Sequence, residues 1–260
     1  MARETPSDPH AVARTIRKHA AQPQKVIFES GPLATWFFHA LTEEGLPAIC
    51  IEARHAQKIP RETLNKTDAN DADSLAQLAE AGFYKAVRVK SFGAMRIRTL
   101  IEARAQPLDM TTQLTNQIRR FMKIFGVIIP KGTGRVFDFH DRKLVADDSL
   151  LAQIILPLLE VWLELRKRAA CLGQHLLATA RQSSATKRLM TIPGIGAITA
   201  IPYVAAVEHS DNFWNSRAAG SCLGPTSRRY RSGEADYDGH ISRRGDRRLR
   251  GLLYEEAAGA

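Results

Sequence analysis

Two long stretches of apolar residues at helical spacing constrain the fold of this chain more than any other feature. In residues 92–125, apolar side chains recur every three or four positions, with an interruption at Pro107. A loop rich in proline and glycine follows at 130–134, and a second stretch of the same kind covers 147–180. Two long helices around a loop predict a helical hairpin or coiled coil. A simple helical spacer or a dimerisation element is the plainer interpretation of the same pattern.

The part of the chain before residue 90 alternates helix and strand signals. A helix start lies at 7–9, and short apolar runs at 25–28 and 47–51 are typical of buried strands. Amphipathic helices are predicted for 31–45 and 68–81. The order helix, strand, helix, strand, helix predicts an α/β layer with parallel strands.

Charge and cysteine usage narrow the class of protein. The 260 residues carry a formal net charge of +10, with a sequence pI near 9.8, which favours a polyanionic partner. The three cysteines Cys50, Cys171 and Cys222 are far apart and have no metal-ligand spacing, which is typical of a reducing compartment. The sequence has no apolar run of membrane-spanning length and begins with polar residues, so we expect a soluble cytoplasmic protein.

Three carboxylates in the first part of the chain are candidate metal ligands. Glu29 follows a predicted strand, where side chains project into the crevice at the strand ends of an α/β sheet. Asp68 and Asp71 are three residues apart and share a helix face. Carboxylate oxygens are the ligands that Mg²⁺ prefers, and Mg²⁺ often bridges to phosphate. The alternative is that Asp68 only caps its helix and Asp71 interacts with the helix dipole.

A glycine turn at 193–196, with the sequence Pro-Gly-Ile-Gly, is a candidate phosphate-binding element. Apolar residues before it and small residues after it are typical of a helix-hairpin-helix, in which Gly194 and Gly196 allow a tight turn. The second helix then offers free backbone N–H groups to a phosphate, independently of base sequence. An ordinary glycine-containing turn between helices is the alternative.

The segment 224–250 surrounds a Ser-Gly pair with arginines. The candidate nucleic-acid contacts in it are Arg228, Arg229, Arg231, Arg243, Arg244, Arg247 and Arg248. Cationic neighbours lower the cost of an alkoxide and stabilise a pentacoordinate phosphate, which makes Ser232 a candidate nucleophile. Ser227 and Ser242 are nearby competitors, and Ser-Gly is also a common turn pair.

Taken in order, these segments resemble one family. The matching motifs are VIFESGPLATWFFHAL, CIEARHAQ, NKTDANDADSLAQL, NQIRRFMKIFGVIIPKG, LMTIPGIGAITA and SGEADYDGHISRRGDRRLRGLLYEEAAGA. They are similar to those of the DEDD-type transposases of the insertion-sequence one-ten (IS110) family, the bridge-RNA-guided recombinases. The resemblance covers almost the whole chain, and its motifs are specific in combination rather than singly.

The resemblance implies a fold class and a domain organisation. It implies a partial RuvC-like (RNase H-type) DEDD domain at 1–90 and a helical hairpin or coiled coil at 91–183. A mainly helical C-terminal transposase domain, with the helix-hairpin-helix and the Ser-Gly motif, would occupy 184–260. The whole is therefore expected to be α/β plus α.

The same resemblance implies the chemistry and the partners. Glu29, Asp68 and Asp71 match family metal ligands, here for Mg²⁺, and Ser232 matches the serine that attacks DNA and forms a covalent phosphoserine link. The implied partners are donor and target DNA and a structured guide RNA. We also expect a homo-oligomer through the helical middle and a bacterial, nucleoid-associated location.

One departure from the family separates the functional hypotheses. The family begins with a strand bearing Gly-Ile/Val-Asp, whose aspartate is the first metal ligand; this sequence has only Asp8 there, in a helix-start context. The sequence therefore predicts a copy truncated at both ends, which lacks the first strands of the RNase H-type sheet and does not recombine DNA as it stands. The alternative functions are an inactive remnant that only binds nucleic acid, and a structure-specific nuclease or repair factor.

Overall fold

The computed structural model describes residues 4–52, 68–130, 132, 134–224, 226–233, 235–241 and 245–259, and for Asp68 and Arg228 it describes the backbone alone. The chain divides into two compact units, Met1–Phe92 and Gly93–Ala260, each of which is described by itself. The three-domain division expected from the sequence stays a prediction. Within the described part of the chain, no helix is both long enough and apolar enough to cross a bilayer.

The first unit alternates helices and strands in the order expected from the sequence. Its elements are α1 (Pro9–His19), β1 (Val26–Glu29), α2 (Ala34–Glu43), β2 (Ala48–Ile51) and α3 (Asp68–Ala81). The two strands pair in parallel, with Val26 opposite Ala48 and Glu29 opposite Ile51. The predicted parallel α/β layer is therefore confirmed. The RuvC-like identity of this layer stays a prediction.

Helix α1 begins where the sequence predicted and packs on the strand layer. The Asp8 carboxylate accepts a hydrogen bond of 2.8 Å from the backbone N–H of Ala11 and so caps the first turn. The fully buried side chains of Ala13 and Leu41 then join α1 to α2, and partly buried side chains of both strands pack against them. The small core thus lies between the two helices and the sheet.

The second unit is built on a helical hairpin, as predicted. Its long helices are α4 (Phe92–Ile124) and α6 (Ser149–Gln182), and the short helix α5 (Arg135–Leu144) lies between them. Two details of the prediction are wrong. Helix α4 continues through Pro107, because buried residues on both sides of the proline hold the helix together despite one lost hydrogen bond. Helix α5 was not predicted, although its apolar residues recur at helical spacing, because the proline and glycines just before it favoured a loop.

The two long helices run antiparallel and bury their facing sides. Near the loop end, Ile118 and Met122 of α4 share a core with Ile155, Leu159 and Trp162 of α6. At the opposite end, apolar residues near the start of α4 pack against the last turns of α6. The hairpin therefore forms its seam within one chain.

The last eighty residues hold short helices and a strand pair. The elements are α7 (Ser184–Leu189), α8 (Ala197–Val207), a 3-10 turn (Ser210–Asn212), α9 (Ser216–Leu223), β3 (Ser227–Ser232), β4 (Ala235–Ile241) and α10 (Arg247–Gly259). The polar stretch 181–187 is mostly helical, because Ser183 caps α7 through a hydrogen bond from Thr186 N. This part is mainly helical, as expected, and the antiparallel β3–β4 hairpin around the Ser-Gly pair was not predicted.

Candidate nucleic-acid interface and catalytic residues

The three candidate metal ligands lie at the ends of two neighbouring elements. Glu29 is the last residue of β1 and is exposed, and Asp71 is exposed in the first turn of α3. Asp68 begins α3, and its side chain lies outside the described residues. All three positions therefore lie at an element end, where the sequence placed them.

Helix α3 packs against β1, and one contact fixes which ends are adjacent. Lys25, the residue before β1, donates from Nζ to the carbonyl oxygen of Ala79 in the last turn of α3. The last turn of α3 thus lies beside the start of β1, while Asp68 and Asp71 are at the other end of the helix and Glu29 is at the other end of the strand. Among the side chains that the structure describes, no three His, Cys, Asp or Glu residues form a cluster that would hold a metal ion.

The glycine turn has the geometry that its sequence predicts. Ile195 N donates to the Ile192 carbonyl oxygen, and Gly194 lies in the left-handed region with φ of 82°. Proline followed by a glycine of positive φ is typical of a type II turn. Gly196 is then the extended N-cap of α8 and makes no side-chain cap.

A carboxylate already lies at this helix start. Glu256 of α10 accepts a hydrogen bond of 2.9 Å from the hydroxyl of Thr199, which is buried in the first turn of α8. A Cβ atom added to Gly196 would lie 3.9 Å from Glu256 Oε1. Negative charge is favourable at a helix N-terminus, so Glu256 takes the electrostatic role that a bound phosphate would otherwise have. This contact could not be predicted from the sequence, because Thr199 and Glu256 are 57 positions apart.

Ser232 lies at the turn of the β3–β4 hairpin. It is paired with Ala235 across a two-residue connection, and Gly233 supplies the positive φ of 58° that such a turn needs. The Ser232 side chain is exposed, and no hydrogen bond to it is recorded among the described residues. The competitor Ser227 begins β3 at the far end of the hairpin, and Ser242 lies outside the described residues.

The pleat of the hairpin places Arg229 and Arg231 on the face opposite Ser232. Alternation places Tyr230 on the same face as Ser232, and Tyr230 stacks on its cross-strand partner Tyr237 with ring centroids 5.2 Å apart. Both rings are about half exposed, at 47% and 60%. The hydroxyl of Ser232 therefore shares its face with an exposed aromatic pair, which the sequence analysis did not identify.

The opposite face of the hairpin carries balanced charge. Arg229 donates to both carboxylate oxygens of Asp236, at 2.8 and 2.6 Å. This bidentate pair lowers the pKa of Asp236 and raises the pKa of Arg229, since each charge is stabilised by the other. Arg231 and Asp238 lie on the same face. Among the described residues Arg231 has no carboxylate partner, so it is the hairpin cation most available to a phosphate.

Helix α10 holds the remaining arginines that the structure describes. Asp246 caps the helix by accepting from the backbone N–H groups of Arg248 and Leu249. The Arg248 side chain pairs with Asp109 of α4 at 2.9 Å, whereas Arg247 is exposed. Arg243 and Arg244 lie outside the described residues. Among the described arginines of the predicted cluster, Arg229 and Arg248 form salt bridges, whereas Arg231 and Arg247 are exposed.

Both units match models of known transposase families. The DEDD transposase model of IS110 elements, described as "Transposase", matches residues 2–126. The model described as "Transposase IS116/IS110/IS902 family" matches residues 186–260. The second match contains the glycine turn, the β3–β4 hairpin and α10.

Several curated proteins are similar to most of this chain. The transposase for insertion sequence element IS1111A of Coxiella burnetii is 27% identical over 236 residues, which is 89% of this chain and 64% of that protein. A probable family 20 transposase of Pseudomonas aeruginosa is 26% identical over 74% of this chain and 59% of its own length. The putative transposase y4pF/y4sB of Sinorhizobium fredii is 30% identical over 72% of this chain and 49% of its own length.

The chain spans between about half and just under two thirds of the length of these relatives. The order of the matches agrees with the motif order of the sequence, with the DEDD model first and the second transposase model last. This chain therefore belongs to the IS110 family of insertion-sequence transposases.

Proposed function

We propose that this chain is a DNA transposase that cuts and rejoins DNA through a Ser232 nucleophile and a carboxylate site for Mg²⁺. The observation that carries the proposal is the position of Ser232, exposed at the turn of a two-stranded ribbon within the segment that matches the transposase family. A β-ribbon is narrow enough to enter a DNA groove, so a hydroxyl at its turn can reach the backbone.

The proposed reaction is a transesterification. Ser232 Oγ attacks a backbone phosphorus, the new bond joins Oγ to phosphorus, and one phosphorus–oxygen ester bond to deoxyribose breaks. The serine proton is lost, and the departing deoxyribose oxygen gains a proton. Attack by a different deoxyribose hydroxyl on the phosphoserine reverses the step and rejoins DNA. Arg231, the hairpin cation without a carboxylate partner among the described residues, lies on the opposite face from Ser232 and would hold a neighbouring backbone phosphate rather than the one under attack.

The tyrosine pair supports a DNA-facing role for the Ser232 side of the hairpin. Exposed aromatic rings stack on bases without regard to sequence, and removal of one such contact costs about 1–3 kcal/mol. Tyr230 and Tyr237 lie on the face that carries Ser232. Bases held there would bring a neighbouring phosphate to the hydroxyl. Cross-strand packing alone would also explain the stacked pair.

Glu29, Asp68 and Asp71 are the residues we propose as metal ligands. Their carboxylates suit a hard cation, and the packing of α3 on β1 supports the grouping, since both Glu29 and the two aspartates lie away from the Lys25–Ala79 contact. When bound, Mg²⁺ would stabilise negative charge on the oxygens of the scissile phosphate. Titration with Mn²⁺, followed by water proton relaxation, should show weaker binding for Glu29→Gln and Asp71→Asn than for the control Glu43→Gln. Equal binding by all three variants would remove these residues as ligands.

The glycine turn and the helical hairpin complete the proposal. A helix-hairpin-helix contact between phosphate and the start of α8 requires Glu256 to leave its hydrogen bond with Thr199. Donor DNA, target DNA and a structured guide RNA are the proposed partners. A homo-oligomer through the hairpin is supported by exposed apolar side chains around its loop end. These include Ile124, Phe125, Ile128, Phe139, Leu150 and Ile154.

Nucleic-acid binding without catalysis is the second candidate function. It is favoured by Asp8, the early aspartate at the place of the family's first metal ligand. The Asp8 carboxylate serves as the cap of α1 rather than as a metal ligand. Both candidates require binding that weakens steeply with salt, since arginine–phosphate contacts release counterions. Fluorescence anisotropy with duplex DNA and structured RNA, over a range of salt concentrations, measures this dependence.

Alanine variants identify the residues that produce the salt dependence. Simultaneous replacement of Arg243, Arg244, Arg247 and Arg248 should flatten the slope of log affinity against log salt, by more than matched replacement of Arg98, Lys143, Lys167 and Arg168. Of the four test residues, Arg248 should contribute least, because Asp109 already neutralises it. An unchanged slope would mean that the arginine segment is only a solvated surface.

A further inference from the structure

An open cavity of about 410 Å³ lies against the helical hairpin, and Ser232 is not among the residues that line it. Its walls come from α4, α6 and the first turn of α8, all within the second unit. The lining residues that matter here are Arg104, Leu108, Arg166, Gly173, Gln174 and Ile198. None of the described residues that line it is acidic.

The two arginines of this cavity have no carboxylate to neutralise them. Among the described residues, neither Arg104 nor Arg166 has an Asp or Glu oxygen within 4.0 Å, unlike Arg168, which pairs with Glu164 at 2.7 Å. The Nε atom of Arg104 is buried and has no hydrogen-bond partner. A buried donor without an acceptor is costly, and a charged one more so. An anion with oxygen acceptors in this cavity would satisfy that donor.

The surrounding side chains hold both guanidinium groups in place. Arg166 lies over the ring of Trp162, with 4.8 Å from Cζ to the ring centroid, and Trp162 Nε1 donates to Thr115 Oγ1 at 2.9 Å. Arg104 lies in space left by a glycine, since a Cβ atom on Gly173 would be 3.3 Å from Arg104 Nε. Two ordered cations lose less conformational entropy on binding than two free ones.

We propose that this cavity, the Arg104–Arg166 pocket, binds the phosphodiester backbone of a nucleic acid, with each arginine contacting its own phosphate. The guanidinium fork matches the geometry of phosphate oxygens, and the Gln174 amide adds a donor within the same cavity. The apolar Leu108 and Ile198 offer a surface to the adjoining sugar. The inference rests on the proposed function only in naming nucleic acid as the source of the phosphodiester.

The test uses the full chain and fluorescence anisotropy with labelled duplex DNA in one arm and a labelled RNA hairpin in the other. The double variant Arg104→Gln/Arg166→Gln should lose about tenfold or more in affinity near physiological salt and should reduce the salt slope by about two, the effect of two phosphate contacts. The matched control Arg96→Gln/Arg120→Gln removes two exposed charges from α4, outside the cavity. It should cost distinctly less.

A third variant separates binding from folding. Gly173→Ala keeps every charge and favours the helix by up to about 1 kcal/mol, yet its Cβ crowds Arg104 Nε. We expect an unchanged or higher melting temperature together with weaker binding.

The outcomes distinguish this inference from the proposed function. A selective loss in the DNA arm, the RNA arm or both supports the pocket and identifies its ligand. Binding by the wild-type chain with equal losses in the test and control double variants overturns the pocket alone. A wild-type chain that binds neither nucleic acid overturns the pocket and the proposed function together.

Discussion

Asp141 should make the second unit less stable as pH rises. The side chain is fully buried in the core under α5, and neither carboxylate oxygen has a hydrogen-bond partner among the described residues. Burial raises the pKa of Asp141 to about 7, although nearby Arg119 opposes the rise. The folded protein therefore holds the proton at pH 5, whereas the unfolded chain releases it near the ordinary value of 3.8.

The sign and size of the effect follow from proton linkage. Because the native state binds more protons than the unfolded state between these pKa values, the free energy of unfolding falls as pH rises through the interval. At about 1.4 kcal/mol per pH unit, the full penalty approaches roughly 4 kcal/mol above pH 8. Between pH 5 and pH 8 the loss due to Asp141 is about 2–3 kcal/mol, since part of the penalty is already present at pH 5.

Urea denaturation of wild type and Asp141→Asn at pH 5, 6.5 and 8 measures this loss. Fluorescence of the buried Trp162 reports on the same core. The variant cannot ionise, so its stability relative to wild type should rise by about 2–3 kcal/mol between pH 5 and pH 8. The exposed control Asp147→Asn should show no such rise. Parallel pH profiles for wild type and Asp141→Asn would refute the reasoning.

Four further substitutions test local geometry. Gly245→Ala should lower the stability of the second unit by about 2 kcal/mol or more in thermal melts, because φ of Gly245 is 82° and the new Cβ would lie 2.3 Å from the Cys222 carbonyl oxygen. Gly233→Ala should cost only about 1 kcal/mol, because φ of Gly233 is 58° but the space around it is open. A larger cost at Gly233 would contradict this ranking. Asp8→Ala removes the acceptor of Ala11 N and should destabilise the first unit by about 1 kcal/mol by denaturant titration, while Asp8→Asn should retain most of the cap.

Local signals in the sequence predicted the order of elements well. The helix start at Asp8, the strand ending at Glu29 and the turn at Gly194 each depend on neighbouring residues, and the structure has all three. The long hairpin was predicted because sustained helical periodicity needs no knowledge of distant partners. These features could be predicted because they depend on interactions between residues that are close in sequence.

Long-range contacts and competing signals account for what the sequence did not reveal. The alternation around Tyr230 and Tyr237, with Ser-Gly between them, is typical of a β-hairpin. The hairpin was not predicted because the arginines in the same segment were interpreted as a cluster around Ser232. The Glu256–Thr199 bond and the Arg104–Arg166 pocket join segments far apart in sequence. No periodic pattern reports such contacts, so they become visible only in the folded chain.

The nucleophile is tested most directly by trapping the covalent intermediate. The chain, with and without an N-terminal Gly-Ile-Asp strand segment from a longer relative, is incubated with Mg²⁺, guide RNA and labelled donor DNA. Denaturing gels then detect protein–DNA adducts, and mass spectrometry of the nuclease-trimmed adduct identifies the modified residue.

The account predicts an adduct on Ser232 that requires Mg²⁺, disappears in Ser232→Ala and persists in Ser227→Ala, with DNA binding retained in both variants. An adduct that survives Ser232→Ala, or a bound complex that never forms one, would contradict it.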